Sequence, residues 1–224
     1  MTPVEPATFL PLFPLPVVLF PGATMPLHIF EPRYRRMVKH CIGGSRRFGM
    51  VYVADAGAES PASGAVGCVA LIDATEDLPD GRSNITVIGQ NRFEIDRLTT
   101  SDEPYLVALI REYHDLPAPV SGIAGPPVEQ VRTLFDRVAR AARVLAGADQ
   151  TIPTLPDDPS DLSFAIAAML DLEGSARQEL LEARSVGERL MLLERILSAA
   201  LSPIEERAAA HTRAKSNGSG LHAH

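Results

Sequence analysis

From Phe9 to Phe20 the chain reads FLPLFPLPVVLF, an apolar run interrupted only by Pro11, Pro14 and Pro16. Each proline removes a backbone donor, so this stretch cannot be a helix interior or a fully paired central strand. The pattern predicts a strand along a sheet edge, and its lack of polar positions predicts burial on both faces. Pro21-Gly22 then turns the chain, and Met25, Leu27 and Ile29 give a short extended run. Glu31-Pro32 opens a helix with proline at the first helical position, where a missing N–H costs nothing. Within it Tyr34, Met37, Val38 and Cys41 recur at helical spacing.

Strand patterns follow at 47–53, 67–75, 84–89, 92–98 and 105–113. In the last, Leu106, Ala108 and Ile110 alternate with Tyr105, Val107 and Leu109, so both faces are apolar, as inside a closed sheet. Leu78-Pro79-Asp80-Gly81 predicts a hairpin turn, and the Ala-, Gly-, Ser- and Pro-rich segment 55–63 predicts a loop between strands. Residues 1–115 therefore read as a small mixed β-barrel with one main helix.

The stretch 116–127, LPAPVSGIAGPP, is a linker by composition. Beyond it Val128, Val131, Leu134, Phe135, Val138, Ala142 and Leu145 define a long amphipathic helix. Asp158-Pro159 starts a second helix, Ser175 a third, and Ser185-Val186-Gly187-Glu188 has capping-box spacing ahead of a fourth. Residues 128–203 are thus expected to form a helical bundle, and the small, polar segment 204–224 a disordered tail. The fold class is α+β, a barrel followed by a helical bundle.

Composition narrows the chemistry. The 224 residues are 46% hydrophobic, enough for a sizeable core, and carry a net charge of −7 with a pI near 5.4. Bulk charge disfavours nucleic acid and anionic membranes, and no segment reads as a leader or a spanning helix. Cys41 and Cys68 have neither metal nor redox spacing, which suits a reducing, cytoplasmic setting. Gly-x-Ser-x-Gly, His-Glu-x-x-His and dinucleotide-type glycine patterns do not occur. The terminal pair His222 and His224 lacks the further ligands a closed metal site needs. No catalytic, cofactor or metal residues are assigned.

The segments LPLFPL, VVLFPG and PLHIFEPRYR resemble the amino-terminal, substrate-binding domain of the Lon protease family. So do, in the family's order, Phe48-Gly49-Met50-Val51, Gly67-Cys68-Val69-Ala70, the hairpin at 78–82, Ile88-Gly89-Gln90-Asn91-Arg92-Phe93, Pro104-Tyr105-Leu106 and the helical RQELLEARSVGERLMLLERIL. The resemblance covers Phe9 to Leu201 and implies that the barrel is pseudouridine-synthase-and-archaeosine-transglycosylase-like (PUA-like). Full-length members also carry an ATPase and a serine-lysine peptidase, each needing its own lysine. The two lysines here are Lys39, inside the first helix, and Lys215, with no glycine cradle upstream. The resemblance therefore implies a stand-alone, non-enzymatic module that binds peptides or unfolded protein segments, as an adaptor or holdase beside a protease or chaperone. The alternative is a PUA-like protein that binds RNA or a small molecule.

Two surfaces are candidates for contact. Met25, Leu27, Ile29 and Phe30 form an apolar stretch between strand and helix that could capture exposed hydrophobic segments, although residues of this kind are more often core. Arg33, Arg35, Arg36, Lys39, Arg46 and Arg47 form a basic cluster on an acidic protein. A solvated helix face explains that cluster more simply than RNA, since interleaved aromatics for base stacking are missing.

Overall fold

The computed structural model describes residues 8–54, 60–117, 126–148 and 152–218, with side chains to residue 214. The described residues form a mixed α/β fold with a six-stranded sheet and five helices. In chain order these are β1 (Thr8–Leu15), β2 (Thr24–Ile29), α1 (Pro32–Ile42), β3 (Arg47–Tyr52), β4 (Val66–Asp77), β5 (Ser83–Thr99), β6 (Val107–Glu112), α2 (Val128–Ala146), α3 (Pro159–Met169), α4 (Gly174–Glu182) and α5 (Val186–Gly218). None of these helices is long and apolar enough to cross a membrane.

The strands lie in the order β2-β5-β4-β3-β1-β6, and β5 also pairs with β6. The ladders thus run from β5 through β4, β3, β1 and β6 back to β5, and among the described residues β2 is attached to β5 alone. One long β5 replaces the two strands expected at 84–89 and 92–98. It pairs with β2 over Ser83–Ile88 and with β6 over Phe93–Thr99, and register shifts within its ladders let it bend between the two. Gly49 and Gly67 make room inside this circuit for the Phe93 ring, because a Cβ at either position would stand 2.6 Å from the ring's Cζ.

β1 corrects the expectation of an edge strand, since it lies between β3 and β6. Its first half, Thr8–Pro11, pairs antiparallel with β6, and its second, Leu12–Leu15, pairs parallel with β3. Each half is laddered along one side only, and that is how a strand with Pro11 and Pro14 fits between neighbours. Burial on both faces also fails locally, because Phe9 is 63% and Val17 40% exposed while Val18, Leu19 and Phe20 are buried.

α1 begins as expected, with Glu31 at its N-cap and Pro32 as its first residue, and buries Tyr34, Met37, Val38 and Cys41. These join Phe13, Phe48, Met50 and Ile72 in the larger core cluster. Burial of each such apolar side chain contributes roughly 1.5–3 kcal/mol. The hairpin between β4 and β5 is also as expected. Gly81 takes φ 79°, the Leu78 N–H donates to the Arg82 carbonyl at 2.8 Å, and the Asp80 carboxylate accepts from the Arg82 N–H and Nε.

The chain divides into two compact units that are not contiguous in sequence: residues to Leu116 with Ala167–Arg184, and Pro117–Ile166 with the remainder from Ser185. α4, expected in the bundle at 128–203, therefore belongs with the strands. Buried Arg92 on β5 accounts for this, because its guanidinium donates to the Leu181 and Ala183 carbonyls at 2.6 and 2.9 Å and pairs with Asp115. Tyr113 donates its hydroxyl proton to the Glu182 carbonyl, and Gln178 donates to the Val66 carbonyl. Leu116, the first residue of the expected linker, is bonded through its N–H to the Arg184 carbonyl, and 118–125 lie outside the described residues.

In the other unit α2 buries Val131, Phe135, Val138 and Ala141, and α5 buries Leu190, Leu193 and Leu197. Arg189 is fully buried there, bonded to the Ser163 and Ser160 hydroxyls and stacked 4.1 Å over Phe164. Ser185 accepts the Glu188 N–H at 3.3 Å, one half of the expected capping box. The tail expected to be disordered from 204 is helical to Gly218, continuing α5 through Pro203. Arg137 holds Glu205 with two 3.0 Å bonds, Ala208 is buried and the alanine-rich sequence favours helix, all of which outweigh its polar composition. Residues 219–224 lie outside the described residues.

Two outcomes are expected. Arg92→Leu leaves buried carbonyls without a donor and should lower unfolding free energy by about 3 kcal/mol in urea titration; a loss under about 1 kcal/mol would show that the clamp is incidental. The Arg82 hydrogen bonds hold the Asp80 carboxyl down at about 2. Because this folded value is depressed, the contribution is complete above the unfolded value near ~3.9 and fades as pH falls toward the folded one. The Tm difference between wild type and Asp80→Asn should therefore be present at neutral pH, small at about pH 2 and lost below it.

Candidate functional site

The four residues of the apolar stretch do not form one surface. β2 alternates as a strand must, so Thr24, Pro26 and His28 are exposed, Met25 and Leu27 are half-buried against the core, and Ile29 is 1% exposed within it. Ile29 is thus removed from any accessible patch, and the expected extended run is the strand β2. Phe30 is 58% exposed and stacks on His28 with ring centroids 6.0 Å apart. His28 is fixed through Nδ1 to the Asn84 side-chain oxygen at 2.8 Å, and Asn84 donates to Glu76. The open side of β2 and Phe30 therefore lie side by side on a strand whose other side is pinned to β5.

The basic cluster also separates. Arg33 pairs with Glu31 at 2.9 Å. Arg46, at φ 59°, turns back to donate to the Ile72 and Asp73 carbonyls of β4. Arg47 lines a concavity of about 340 Å³ at the strand ends, with Thr8, Leu10, Gln90, Asn91 and Glu112 among its walls. Arg35, Arg36 and Lys39 stay together along α1, beside a second concavity that Ile42, Asp77, Gly81 and Arg82 also line. Arg36 is committed to Glu103 at 2.7 Å, which pulls the Glu103 carboxyl below its usual range. Arg82 is committed to Asp80 at 2.5 Å. Arg82 was missed in the sequence because it lies far from α1 along the chain. The Ile29–Ser83 pairing of β2 with β5 brings the hairpin alongside.

The two cysteines of the chain are both buried. Burial pushes the Cys41 thiol up to about 11 and the Cys68 thiol up to about 12, so both are protonated at neutral pH. His40 shares a 2.7 Å hydrogen bond with the Tyr105 hydroxyl beside the Arg36–Glu103 pair, a polar tie between α1 and the approach to β6. Among the described residues no group of His, Cys, Asp and Glu side chains could hold a metal ion, and the histidines at 222 and 224 lie outside them.

The family model described as the ATP-dependent protease La (LON) substrate-binding domain matches residues 9–199. The chain belongs to this family. The Lon protease of Cytophaga hutchinsonii is 26% identical over 215 residues, 91% of this chain and 26% of that protein. The Lon protease of Roseiflexus castenholzii is 32% identical over 197 residues, 81% of this chain and 23% of that protein. The chain thus spans about a quarter of the length of these curated relatives. Among solved structures, a Lon N-terminal domain protein from Xanthomonas campestris superposes with TM-score 0.59 at 28% identity, covering 85% of this chain and 98% of that one. The N-terminal domain of the Mycobacterium avium complex Lon protease, at 16% identity and TM-score 0.60 over the same shares, is alike in fold.

Residues of this Lon substrate-binding domain should behave chemically as their burial dictates. A thiol reagent at pH 8 is expected to leave Cys41 and Cys68 unmodified in the folded protein and to label both in denaturant. Rapid labelling of either in the native state would contradict their burial.

Proposed function

We propose that this domain binds extended, partly apolar segments of peptides and unfolded proteins along the open side of β2 and across Phe30, without chemistry of its own. The observation that carries the reading is that among the described residues β2 is laddered through β5 alone while Phe30 stands exposed at its end. Unpaired backbone groups on a strand edge bond an extended partner whatever its side chains, and an adjacent exposed ring adds apolar contact. Pro26 removes one donor and the strand is six residues long, which limits pairing between copies. Membership of a family described by substrate binding supports the same reading. We further read the closed circuit of strands as the PUA-like barrel and α2, α3 and α5 as the helical lobe. The domain would serve as an adaptor or holdase in cytoplasmic protein quality control, supplying clients to a protease or chaperone.

The second reading, a small-molecule or RNA-binding PUA-like protein, draws on the concavity around Arg47, Gln90 and Asn91. Hydrogen exchange separates the two. Addition of a labelled, unstructured peptide with an apolar centre should slow exchange of the β2 amides, and Phe30→Ser should weaken its binding about fivefold to tenfold by fluorescence anisotropy. The protein should neither hydrolyse ATP nor cleave the peptide. Protection confined to the residues around Arg47, Gln90 and Asn91, with β2 unchanged, would favour the second reading.

A further inference from the structure

Along α1, Arg35 and Lys39 are one turn apart and line the same concavity, yet among the described residues neither side chain has an ion-pair or hydrogen-bond partner. Their neighbours differ. Arg36 and Arg82 in the same walls are neutralised by Glu103 and Asp80. The uncommitted acid facing them is Asp77, which is exposed and outside ion-pair distance of both cations. Arg35 has room against the hairpin because Gly81 carries no side chain. Its guanidinium lies on Gly81, where a Cβ would come within 2.1 Å of Nη2, and Gly81 has a positive φ as well. A protein with net charge −7 therefore presents two free cations, one of them seated on a glycine, on the wall of a concavity.

The surroundings indicate the occupant. Pro32 and the 38% exposed Ile42 give the concavity apolar walls, so a ligand there combines negative charge with hydrocarbon. Cations four residues apart on a helix are separated by about 6 Å along its axis, close to the roughly 6.6 Å between alternate side chains of an extended strand. The pairing of Ile29 with Ser83 puts this wall next to the end of β2 where Phe30 emerges. Asp77 and the paired acids make the face a poor match for a continuous phosphate backbone, and a single exposed ring beside it, Phe30, is a poor platform for successive bases.

We propose that Arg35 and Lys39 form a specificity surface for acidic protein segments, selecting extended clients that carry Asp or Glu beside an apolar stretch. This rests on the reading of β2 and Phe30 as a site for extended segments, and it adds a charge rule to it.

The test uses labelled peptides with one apolar centre, flanked by glutamates, glutamines or lysines, titrated by anisotropy against the full chain. At low salt the glutamate-flanked peptide should bind about tenfold more tightly than the glutamine-flanked one, an advantage that shrinks at high salt. Arg35→Gln with Lys39→Gln should erase that advantage and leave the glutamine-flanked affinity unchanged. Lys39→Gln alone, which breaks no described contact, should remove part of it. Charge reversal at both positions should transfer the preference to the lysine-flanked peptide. If all three peptides bind wild type equally, the charge rule is wrong while the β2 reading stands. If none binds, both fail. If single-stranded polyuridylate displaces the acidic peptide and the same substitutions abolish RNA binding, the surface belongs to nucleic acid and the proposal is overturned.

Discussion

The guanidinium of Arg92 ties together parts of the chain that are far apart in sequence. It sits near the bend of β5, almost fully buried, and its donors reach Leu181, Ala183 and Asp115 while its face packs on Tyr113. A buried guanidinium is tolerable only when its N–H groups are satisfied, so the backbone at 181–184 and the chain at 113–116 must come to it. The result is a unit assembled from Met1–Leu116 and Ala167–Arg184, with the intervening residues looped out into another. Arg177 strengthens the same arrangement by donating to the Leu170 and Val18 carbonyls and stacking 5.0 Å from the Phe20 ring. Together these bonds tie the segment at 170–184 to the strands.

That arrangement explains what could be read in advance. Local signals were reliable where the interaction is local: Pro32 opening α1, the Asp80-Gly81 turn, Asp158 accepting the N–H groups of Ser160 and Asp161, and Ser185 capping α5. The tertiary assignments failed where a single distant bond decides. Arg92 looks like an ordinary strand arginine in sequence, and nothing near it announces that α4 will be recruited to the strands. β1 failed for a related reason, because prolines forbid a strand bonded on both sides throughout but permit one that changes sides midway. The helix beyond Pro203 was missed because composition argues only from average solvation. Glu205 and Ala208 find particular partners.

The surface residues were legible to a lesser degree. Phe30 was singled out and is exposed, whereas Ile29, one residue earlier, is core. The alternation of a strand separates them. The basic residues were seen as one cluster, but backbone geometry disperses them: the positive φ of Arg46 turns it onto β4, and Arg47 leads into the next strand. What remains on α1 is smaller than the sequence cluster and better defined.

The adjacency of the two surfaces follows from register. Ile29 and Ser83 are cross-strand partners, so the end of β2 and the start of β5 are fixed side by side, and α1 begins three residues after Ile29. An extended segment paired along β2 that continues past Phe30 therefore meets the α1 wall without any rearrangement of the domain. Backbone pairing supplies sequence-tolerant attachment, while two solvated charges alter affinity only modestly and chiefly through encounter. A domain of this kind would rank clients rather than exclude them. Fully committed cations could not do even that, since Arg36 and Arg82 would have to give up Glu103 and Asp80 before meeting a new carboxylate. The free state of the Arg35 and Lys39 side chains is thus the physical condition for discrimination, and Gly81, having no side chain, leaves the Arg35 guanidinium room beside the hairpin.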